Sequence, residues 1–266
     1  LPQTLLIALF ETHFHTEIPE EAYLYGMPYE YFENHGVRKY GFHGASHRYI
    51  AYAARQEYFK ERDHLKIISC HLGGSSSVCA IRDGVSIDTS MGMSAQSGCL
   101  NATRVGDMDS FALLYIMEKE NLSIDDMRHI LITNGGLKGI SGRSGDFRDI
   151  EKAMQNGDDR ARKAFNTFAY HVKRYIGEYL VVLNGVDMIV FTAGAGQKSV
   201  NLREKILENT ENLGIVLDQN KNRQTLDKGI ISAENSGILV AVIPTNEEWI
   251  LAQEVAEKIS CKPCSY

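Results

Sequence analysis

Residues 65–90 leave few folds open. Leu65-Lys66-Ile67-Ile68-Ser69-Cys70-His71-Leu72 reads as a strand, Val78-Cys79-Ala80-Ile81-Arg82 as a second, and Val85-Ser86-Ile87-Asp88-Thr89-Ser90 as a third. Asp83-Gly84 joins the last two. Both central residues of a type I′ turn need positive φ, and Asp-Gly is a strong signal for it. The first two strands are joined by Gly73-Gly74-Ser75-Ser76-Ser77, a turn with almost no side chain. Its backbone N–H groups and hydroxyls can close on a phosphate, with His71 at the edge. The same segment also reads as a plain β-meander with a Ser-rich loop, since Gly/Ser hairpin turns are common.

Charge and hydropathy exclude several partners. The formal net charge is -6 with no long basic run, which argues against nucleic acid. No apolar run reaches the roughly 20 residues a membrane span requires. The first ten residues, LPQTLLIALF, are apolar but lack a basic n-region and a cleavage site, so they do not read as a signal peptide. Residues 4–10 are expected to form a strand whose partners lie upstream. Cys70 and Cys79 sit in apolar strands and read as buried thiols. The odd cysteine count favours a reducing, cytoplasmic setting over a disulfide framework. Cys261 and Cys264 form a lone CxxC; a zinc site would need a second pair.

With 266 residues, 44% of them hydrophobic, the chain can form one large domain or two small ones. Residues 13–40 look irregular, with one amphipathic turn near Glu30–Asn34. A helix is predicted from Ser46 to Lys60, opening just after Gly44, and another from Asp107 to about Glu118. Ser123-Ile124-Asp125-Asp126 is a capping box for a further helix. The longest helix is predicted over 158–183, where Ala161, Ala164, Phe165, Phe168, Val172 and Ile176 keep helical spacing. Met188–Phe191 is a short strand running into Thr192-Ala193-Gly194-Ala195-Gly196, with a helix from Asn201. A strand at Ile238–Ile243 meets Pro244, and Asn246-Glu247-Glu248 opens the last helix. A meander, then helices, then strand–glycine loop–helix suits an α/β lobe with a mixed sheet.

Several short stretches carry possible chemistry, each with a plainer reading beside it. Gly194–Gly196 lets the backbone approach an anion at a helix start, or is simply a strand–helix turn. His43 and His47 flank glycines at a helix N-terminus, where an imidazole can donate to an anion or cap the local backbone. Arg104 lies in a loop, as phosphoryl transfer would require and as a surface salt bridge would too. Asp146-Phe147-Arg148-Asp149 could hold a nucleotide or open a solvated helix. Glu247 compensates a helix dipole or holds Mg²⁺.

Taken in order, these stretches resemble the acetate kinase family of the acetate and sugar kinase/actin-like superfamily. The resemblance rests on Pro19-Glu20-Glu21-Ala22-Tyr23-Leu24-Tyr25, Tyr40-Gly41-Phe42-His43-Gly44, Cys70-His71-Leu72-Gly73, Asp88-Thr89-Ser90-Met91-Gly92, Thr103-Arg104, Gly106-Asp107, Phe165 through Tyr175 and Pro244-Thr245-Asn246-Glu247-Glu248. It implies an actin-like (ribonuclease H-like) α/β lobe with helices flanking a mixed sheet. It also implies reversible phosphoryl transfer between ATP and acetate with Mg²⁺, in a homodimer. Residues 1–12 would then be a remnant of an N-terminal lobe, 13–246 the nucleotide-binding and dimerisation lobe, and 247–266 a helix and tail returning to the missing lobe.

By the same resemblance, His43 and Arg104 would stabilise the phosphoryl and carboxyl charge of the transfer, with Glu11 standing at the position of a catalytic carboxylate. His71, Gly73, Gly74 and Ser75 would contact the phosphate chain. Asp146, Phe147, Arg148, Gly194, Ala195, Gly196, Lys198 and Arg203 would hold the rest of the nucleotide. Phe42 and Ala95 would line the acyl pocket, and Glu247 would position the metal. The chain departs from the family pattern in places. FDTAFH stands here as Phe10-Glu11-Thr12-His13-Phe14-His15, so Glu replaces the catalytic Asp. HLGNG stands as His71-Leu72-Gly73-Gly74-Ser75, losing an Asn. FTGGIGENS stands as Phe191-Thr192-Ala193-Gly194-Ala195-Gly196-Gln197-Lys198-Ser199. In the TPLEGL stretch Ala95 replaces Pro, which would enlarge the acyl pocket. The chain alone is expected to turn over negligibly. A propionate or other short-acid kinase, or a non-catalytic nucleotide-binding and dimerisation module, are the alternatives; a sugar kinase is disfavoured by the Tyr-Gly-Phe-His-Gly and Thr-Arg segments.

Overall fold

The computed structural model describes residues 7–260. An irregular opening carries α1 (Glu20–Tyr23) and α2 (Glu30–His35), followed by α3 (Gly44–Tyr58). The meander is β1 (Lys66–Leu72), β2 (Ser76–Arg82) and β3 (Val85–Thr89). Helices α4 (Ser110–Glu120), α5 (Ile124–His129), α6 (Gly136–Ser141) and α7 (Phe147–Gln155) lead to the long α8 (Asp159–Val182). Then come β4 (Met188–Thr192), α9 (Ala193–Lys198), α10 (Val200–Leu207), α11 (Gln219–Gln224), β5 (Gly229–Ile230), β6 (Leu239–Val242) and α12 (Glu247–Ser260).

The strands form one sheet in the order β3-β2-β1-β4-β6-β5. It is mixed, as the sequence predicts: the meander is antiparallel, while β1, β4 and β6 run parallel. Asp83 (φ 54) and Gly84 (φ 85) both adopt the left-handed conformation that the Asp-Gly turn requires. The Asp83 carboxylate also accepts the Leu65 N–H at 2.8 Å, closing the base of the hairpin.

Alternation along each strand separates two cores. Ile68, Cys70, Leu72, Ile189 and Phe191 face α8 and bury its Ala161, Ala164, Phe165, Phe168 and Val172. Ile67, Cys79, Ile81, Met188 and Val190 face the other way, onto Ile50, Ala51, Ala53 and Ala54 of α3. Because helices cover both faces, the central strands are apolar at almost every position rather than at alternate ones. Small residues on α3 let that helix lie close to the sheet. The free thiols Cys70 and Cys79 are buried as expected, and Cys99 with them; Cys261 and Cys264 lie outside the described residues.

Helix starts follow their side chains. Asp158 caps α8 by accepting the Ala161 N–H at 3.0 Å, and Ser123 and Asp126 form the reciprocal capping box. Two features differ from the sequence expectation. Residues 7–10, the described part of the predicted 4–10 strand, pair with nothing in the sheet. The glycine stretch after β4 is helical from Ala193 onward, so α9 begins at the strand end rather than after a loop. Helix α12 lies on α3: Trp249 packs 4.7 Å from Tyr52, and Arg48 pairs with Glu254. No helix among the described residues is long and apolar enough to cross a membrane.

Parallel β1, β4 and β6 bring their C-terminal ends to one edge. In an open α/β sheet that edge is where ligands bind. The chain leaves it as Gly73-Gly74 after β1, as Ala193–Gly196 after β4, and as Pro244–Glu247 after β6. Phe168 underlies this edge: it is fully buried, and the Phe147 ring meets it edge-on at 4.6 Å. Phe168→Ala is expected to cost about 3–5 kcal/mol, read as a lowered urea midpoint. A loss below about 1 kcal/mol would show that this contact does not hold the edge.

Candidate active site

The phosphate-sized turn is built from its own backbone. Gly73 N–H donates to the Ser75 carbonyl at 3.1 Å, and Ser76 Oγ donates to the Gly73 carbonyl at 3.1 Å. Ser76 N–H donates to Asn101 Oδ1, and Ala102 N–H donates to the Gly74 carbonyl at 3.0 Å. The turn is thus clamped to the loop that carries Arg104. Arg104 reaches back with Nη1, donating to Ser75 Oγ at 2.9 Å and to the Ala95 carbonyl at 3.3 Å. A Cβ at Gly74 would meet open space.

His43 and His71 stack beside this turn, with ring centroids 4.1 Å apart and planes 16° from parallel. Their Nδ1 atoms hydrogen-bond Ser77 Oγ and Ser46 Oγ, each at 2.8 Å. Both rings are kept neutral. Burial, then the charges of His71 and Arg104, lower the His43 pKa to about 3, and burial lowers His71 to about 4. His47 behind them and His15 beside His47 are held neutral chiefly by burial as well, His15 at about 4. His43 occupies the N-cap of α3 at φ 57, a left-handed conformation costing a non-glycine residue about 1 kcal/mol. Gly44 next to it donates its N–H to the Glu11 carbonyl at 3.0 Å, and a Cβ at 44 would collide with that oxygen.

A cavity of about 620 Å³ opens beside the turn. Of the residues that the resemblance assigns to the nucleotide, Gly73, Gly74, Asp146, Phe147, Arg148, Gly194, Ala195 and Lys198 line it; His71, Ser75 and Gly196 do not. Ala102, Gly145, Glu151 and Ser199 line it too and escaped that reading. Glu151 accepts the Ser199 hydroxyl at 2.8 Å; a single Glu one turn into a charged helix carries no sequence signal for this. Asp146 caps α7, and its carboxylate receives the Arg148 fork. The Lys198 ammonium donates to the Leu226 carbonyl at 2.9 Å.

Arg203 requires a correction. It is fully buried and does not line the cavity. Nε donates to Asn222 Oδ1 at 2.7 Å, Nη1 to the Gly196 and Gln197 carbonyls, and Nη2 to the Asn222 and Thr225 carbonyls. All five N–H donors of a guanidinium are spent. Arg203 holds the C-terminal end of α9 in place from beneath, and Gly196 is the buried residue it grips. Burial lowers its pKa only to about 10, so it stays charged.

Glu11 lies within the electrostatic reach of Glu247 although 236 positions separate them in sequence (247 − 11). Burial and then the charge of Glu11 raise the Glu247 pKa. No group of three or more His, Cys, Asp or Glu placed to hold a metal ion exists among the described residues. Mg²⁺ keeps several waters and takes one or two protein carboxylates plus substrate phosphates, so Glu247, within the electrostatic reach of Glu11, is a donor of the kind it uses. Phe42 is half-buried, and its carbonyl accepts from His15 Nε2 at 3.0 Å. Ala95 is half-buried under Arg104.

The Acetokinase family profile matches residues 1–253. The chain is 45% identical over 254 residues to the acetate kinase of Acetivibrio thermocellus, covering 96% of this chain and 64% of that protein. It is 47% identical over 260 residues to the acetate kinase of Thermoanaerobacterium thermosaccharolyticum, covering 97% and 65%. The crystal structure of Porphyromonas gingivalis acetate kinase superposes with a TM-score of 0.92 at 37% identity, over 95% of this chain and 63% of that one. A propionate kinase from Francisella tularensis superposes at 0.87 and 35% identity, over 92% and 62%. The mixed sheet with helices on both faces is thus the actin-like lobe of phosphotransferases of this kind. The chain belongs to the acetokinase family. It spans just under two thirds of the length of these relatives.

The buried imidazoles set a pH dependence. A histidine whose folded pKa lies below its unfolded 6.5 contributes stability above pH 6.5 and loses it as pH falls toward the folded value, by about 1.4 kcal/mol per pH unit per proton. His15, His43, His47 and His71 act together. The carboxyls of Asp88, Glu178 and Glu247, raised by burial, offset part of this by binding protons in the native state. Urea midpoints should fall between pH 7 and pH 5, with a net uptake of about three protons on unfolding at pH 6. A flat midpoint would contradict neutral burial.

Ala193 sits at φ 62 where the family pattern has glycine. Ala193→Gly removes that strain and is expected to raise stability by about 0.5–1 kcal/mol, measured by thermal unfolding. A lower midpoint would show that the left-handed backbone is not strained there.

Proposed function

We propose that this lobe binds ATP or ADP with Mg²⁺ and carries the nucleotide half of a reversible phosphoryl transfer to a short carboxylate, acetate foremost. The observation that carries the reading is the convergence of His43, His71 and Arg104 on the Gly73–Ser75 turn, whose two glycines line the cavity. In the forward direction a carboxylate oxygen forms a bond to the γ-phosphorus while the bond to the β–γ bridging oxygen breaks, and ADP leaves. Chemistry of this kind depends on positioning and electrostatics rather than on a protein nucleophile. Arg104 supplies the fixed positive charge. His43 and His71 supply neutral donors at one wall. Gly73, Gly74 and Gly194 leave room for phosphate oxygens against the backbone. Phe147, with the Asp146–Arg148 pair, forms the wall for the nucleoside. Glu11 and Glu247 would hold the metal, which neutralises phosphate charge when bound.

The flanking assignments are part of the same proposal. Residues 13–246 act as the nucleotide-binding and dimerisation lobe, with residues 1–12 and 247–266 reaching toward a second lobe. A homodimer is supported by α4, an apolar helix with no buried residue: Phe111 is 75% exposed, Leu114 60% and Tyr115 61%. A cytoplasmic setting accords with three free buried thiols.

Calorimetric titration of Mg·ADP into the 266-residue chain tests the cavity. One site is expected, weakened at least tenfold by Ala195→Trp, which fills the lining; absence of binding would overturn the reading. The acid is tested by hydroxamate formation with acetate, propionate and longer acids. The chain is fused for this to the part of the Acetivibrio thermocellus enzyme that it does not match. Acetate should give the highest kcat/KM, and product with no acid above background would refute the kinase reading. In that fusion Glu11→Asp is expected to raise kcat by up to about 10²-fold, because one methylene displaces the carboxylate by about 1 Å.

A further inference from the structure

Each of four imidazoles in this lobe meets one serine hydroxyl at Nδ1: His15 with Ser86, His43 with Ser77 and His71 with Ser46 at 2.8 Å, and His47 with Ser69 at 2.9 Å. All four hydroxyl-bearing serines are fully buried. Ser77 Oγ also meets His47 Nε2 at 2.7 Å, so Ser69, His47, Ser77 and His43 form one continuous chain.

Counting protons gives that chain a direction. A neutral imidazole has one donor and one acceptor nitrogen, and a hydroxyl has one proton. Three arrangements satisfy every link. In the first, Ser69 donates to His47 Nδ1, His47 Nε2 donates to Ser77, Ser77 donates to His43 Nδ1, and His43 is left with a proton on Nε2. In the second all three links reverse, and the Ser69 proton has nowhere to go. In the third, His47 Nε2 and His43 Nδ1 both donate to Ser77, whose hydroxyl accepts two bonds, and the Ser77 proton has nowhere to go: its Oγ meets no partner but these two rings among the described residues. His47 is the only hydrogen-bond partner of Ser69 Oγ among the described residues, and an unpaired buried hydroxyl proton is expensive. His15 shows the same polarity independently: its Nε2 must donate to the Phe42 carbonyl, so its Nδ1 accepts from Ser86. Ser46, whose only such partner is His71, orients that ring likewise.

We propose that Ser69, His47 and Ser77 are positioning residues that lock His43 as its Nε2–H tautomer, with Ser46 doing the same for His71. The stacked pair then offers two uncharged N–H donors from the edge of the phosphate turn. The tautomer of a histidine is set by what its other nitrogen bonds, and here that choice is made up to two residues away from the ring that uses it. That these donors serve a phosphoryl group rests on the kinase reading above; the tautomers themselves do not.

The test is ring-nitrogen NMR of the uniformly ¹⁵N-labelled chain between pH 6.5 and 8, which separates protonated from unprotonated ring nitrogens. His43 and His71 should each show a protonated Nε2 and an unprotonated Nδ1, with no second form. Ser77→Ala should introduce an Nδ1–H population at His43 while leaving His71 unchanged, Ser46→Ala should do the converse, and Ser77→Thr should restore the wild-type pattern. In the active fusion Ser77→Ala should lower kcat about tenfold, as loss of an outer partner that orients a histidine does, with KM for ADP unchanged. An Nδ1–H form of His43 in the wild type, or a His43 spectrum indifferent to Ser77→Ala, would overturn the proposal. The predicted spectra in a fusion that phosphorylates no acid would uphold the tautomer lock and remove the kinase reading alone.

Discussion

In the parallel ladder between β1 and β4, His71 lies opposite Thr192. That register decides what stands beside what at the C-terminal edge of the sheet. One residue beyond Leu72 the chain turns through Gly73 and Gly74; directly after Thr192 it turns through Ala193 into α9. A slip of one residue would send His71 to the opposite face and separate the two turns. The register is held by apolar packing on both faces, with α8 on one side and α3 on the other. The helix over one core ends where its own N-cap, His43, reaches the site. Packing and chemistry are therefore specified by the same short strands.

The charge distribution at that edge is economical. Burying several cations near one another would be opposed by desolvation and repulsion. The lobe avoids this with one guanidinium at the turn, Arg104, and imidazoles that remain neutral. The buried Arg203 is satisfied wholly by carbonyl and amide oxygens and acts as a bracket under α9. Negative charge acts on negative charge at Glu247, whose pKa is raised by burial and then by the charge of Glu11.

Much of this was legible before any coordinates. The meander, its Asp-Gly turn, the Ser123 capping box and the long helix all follow from local rules of periodicity, turn chemistry and capping, which depend on near neighbours in sequence. Gly73, Gly74, His43, His71 and Arg104 were legible as parts, and their resemblance to a known pattern joined them. What was not legible depends on contacts across long separations. Arg203 reads as a nucleotide ligand, by resemblance, until its five acceptors are counted. Ser77 looks like an ordinary strand residue, and nothing local ties it to His47 until the two meet across 30 positions. Helix α9 was hidden because glycine argues against helix, whereas here the parallel strand ending at Thr192 delivers the backbone directly into a helical turn. The apolar residues 4–10 look like a strand by composition, yet their described part finds no partner in the sheet.

Glu11, Gly74 and Ala193 are the positions where the chain departs from the family pattern, and the structure treats them differently. Gly74 leaves open space and Ala193 carries local backbone strain, while the charge of Glu11 acts on Glu247. The central claim is that the turn after β1 and the start of α9 close on one phosphate chain. A crystal structure of the chain soaked with Mg·ADP tests it most directly. The account predicts phosphate oxygens over Gly73–Ser75 within reach of Arg104, and the nucleoside against Phe147 and Gly194. Nucleotide bound instead in the groove of about 600 Å³ beside Arg162 and Lys205, with the β1 turn empty, would contradict it.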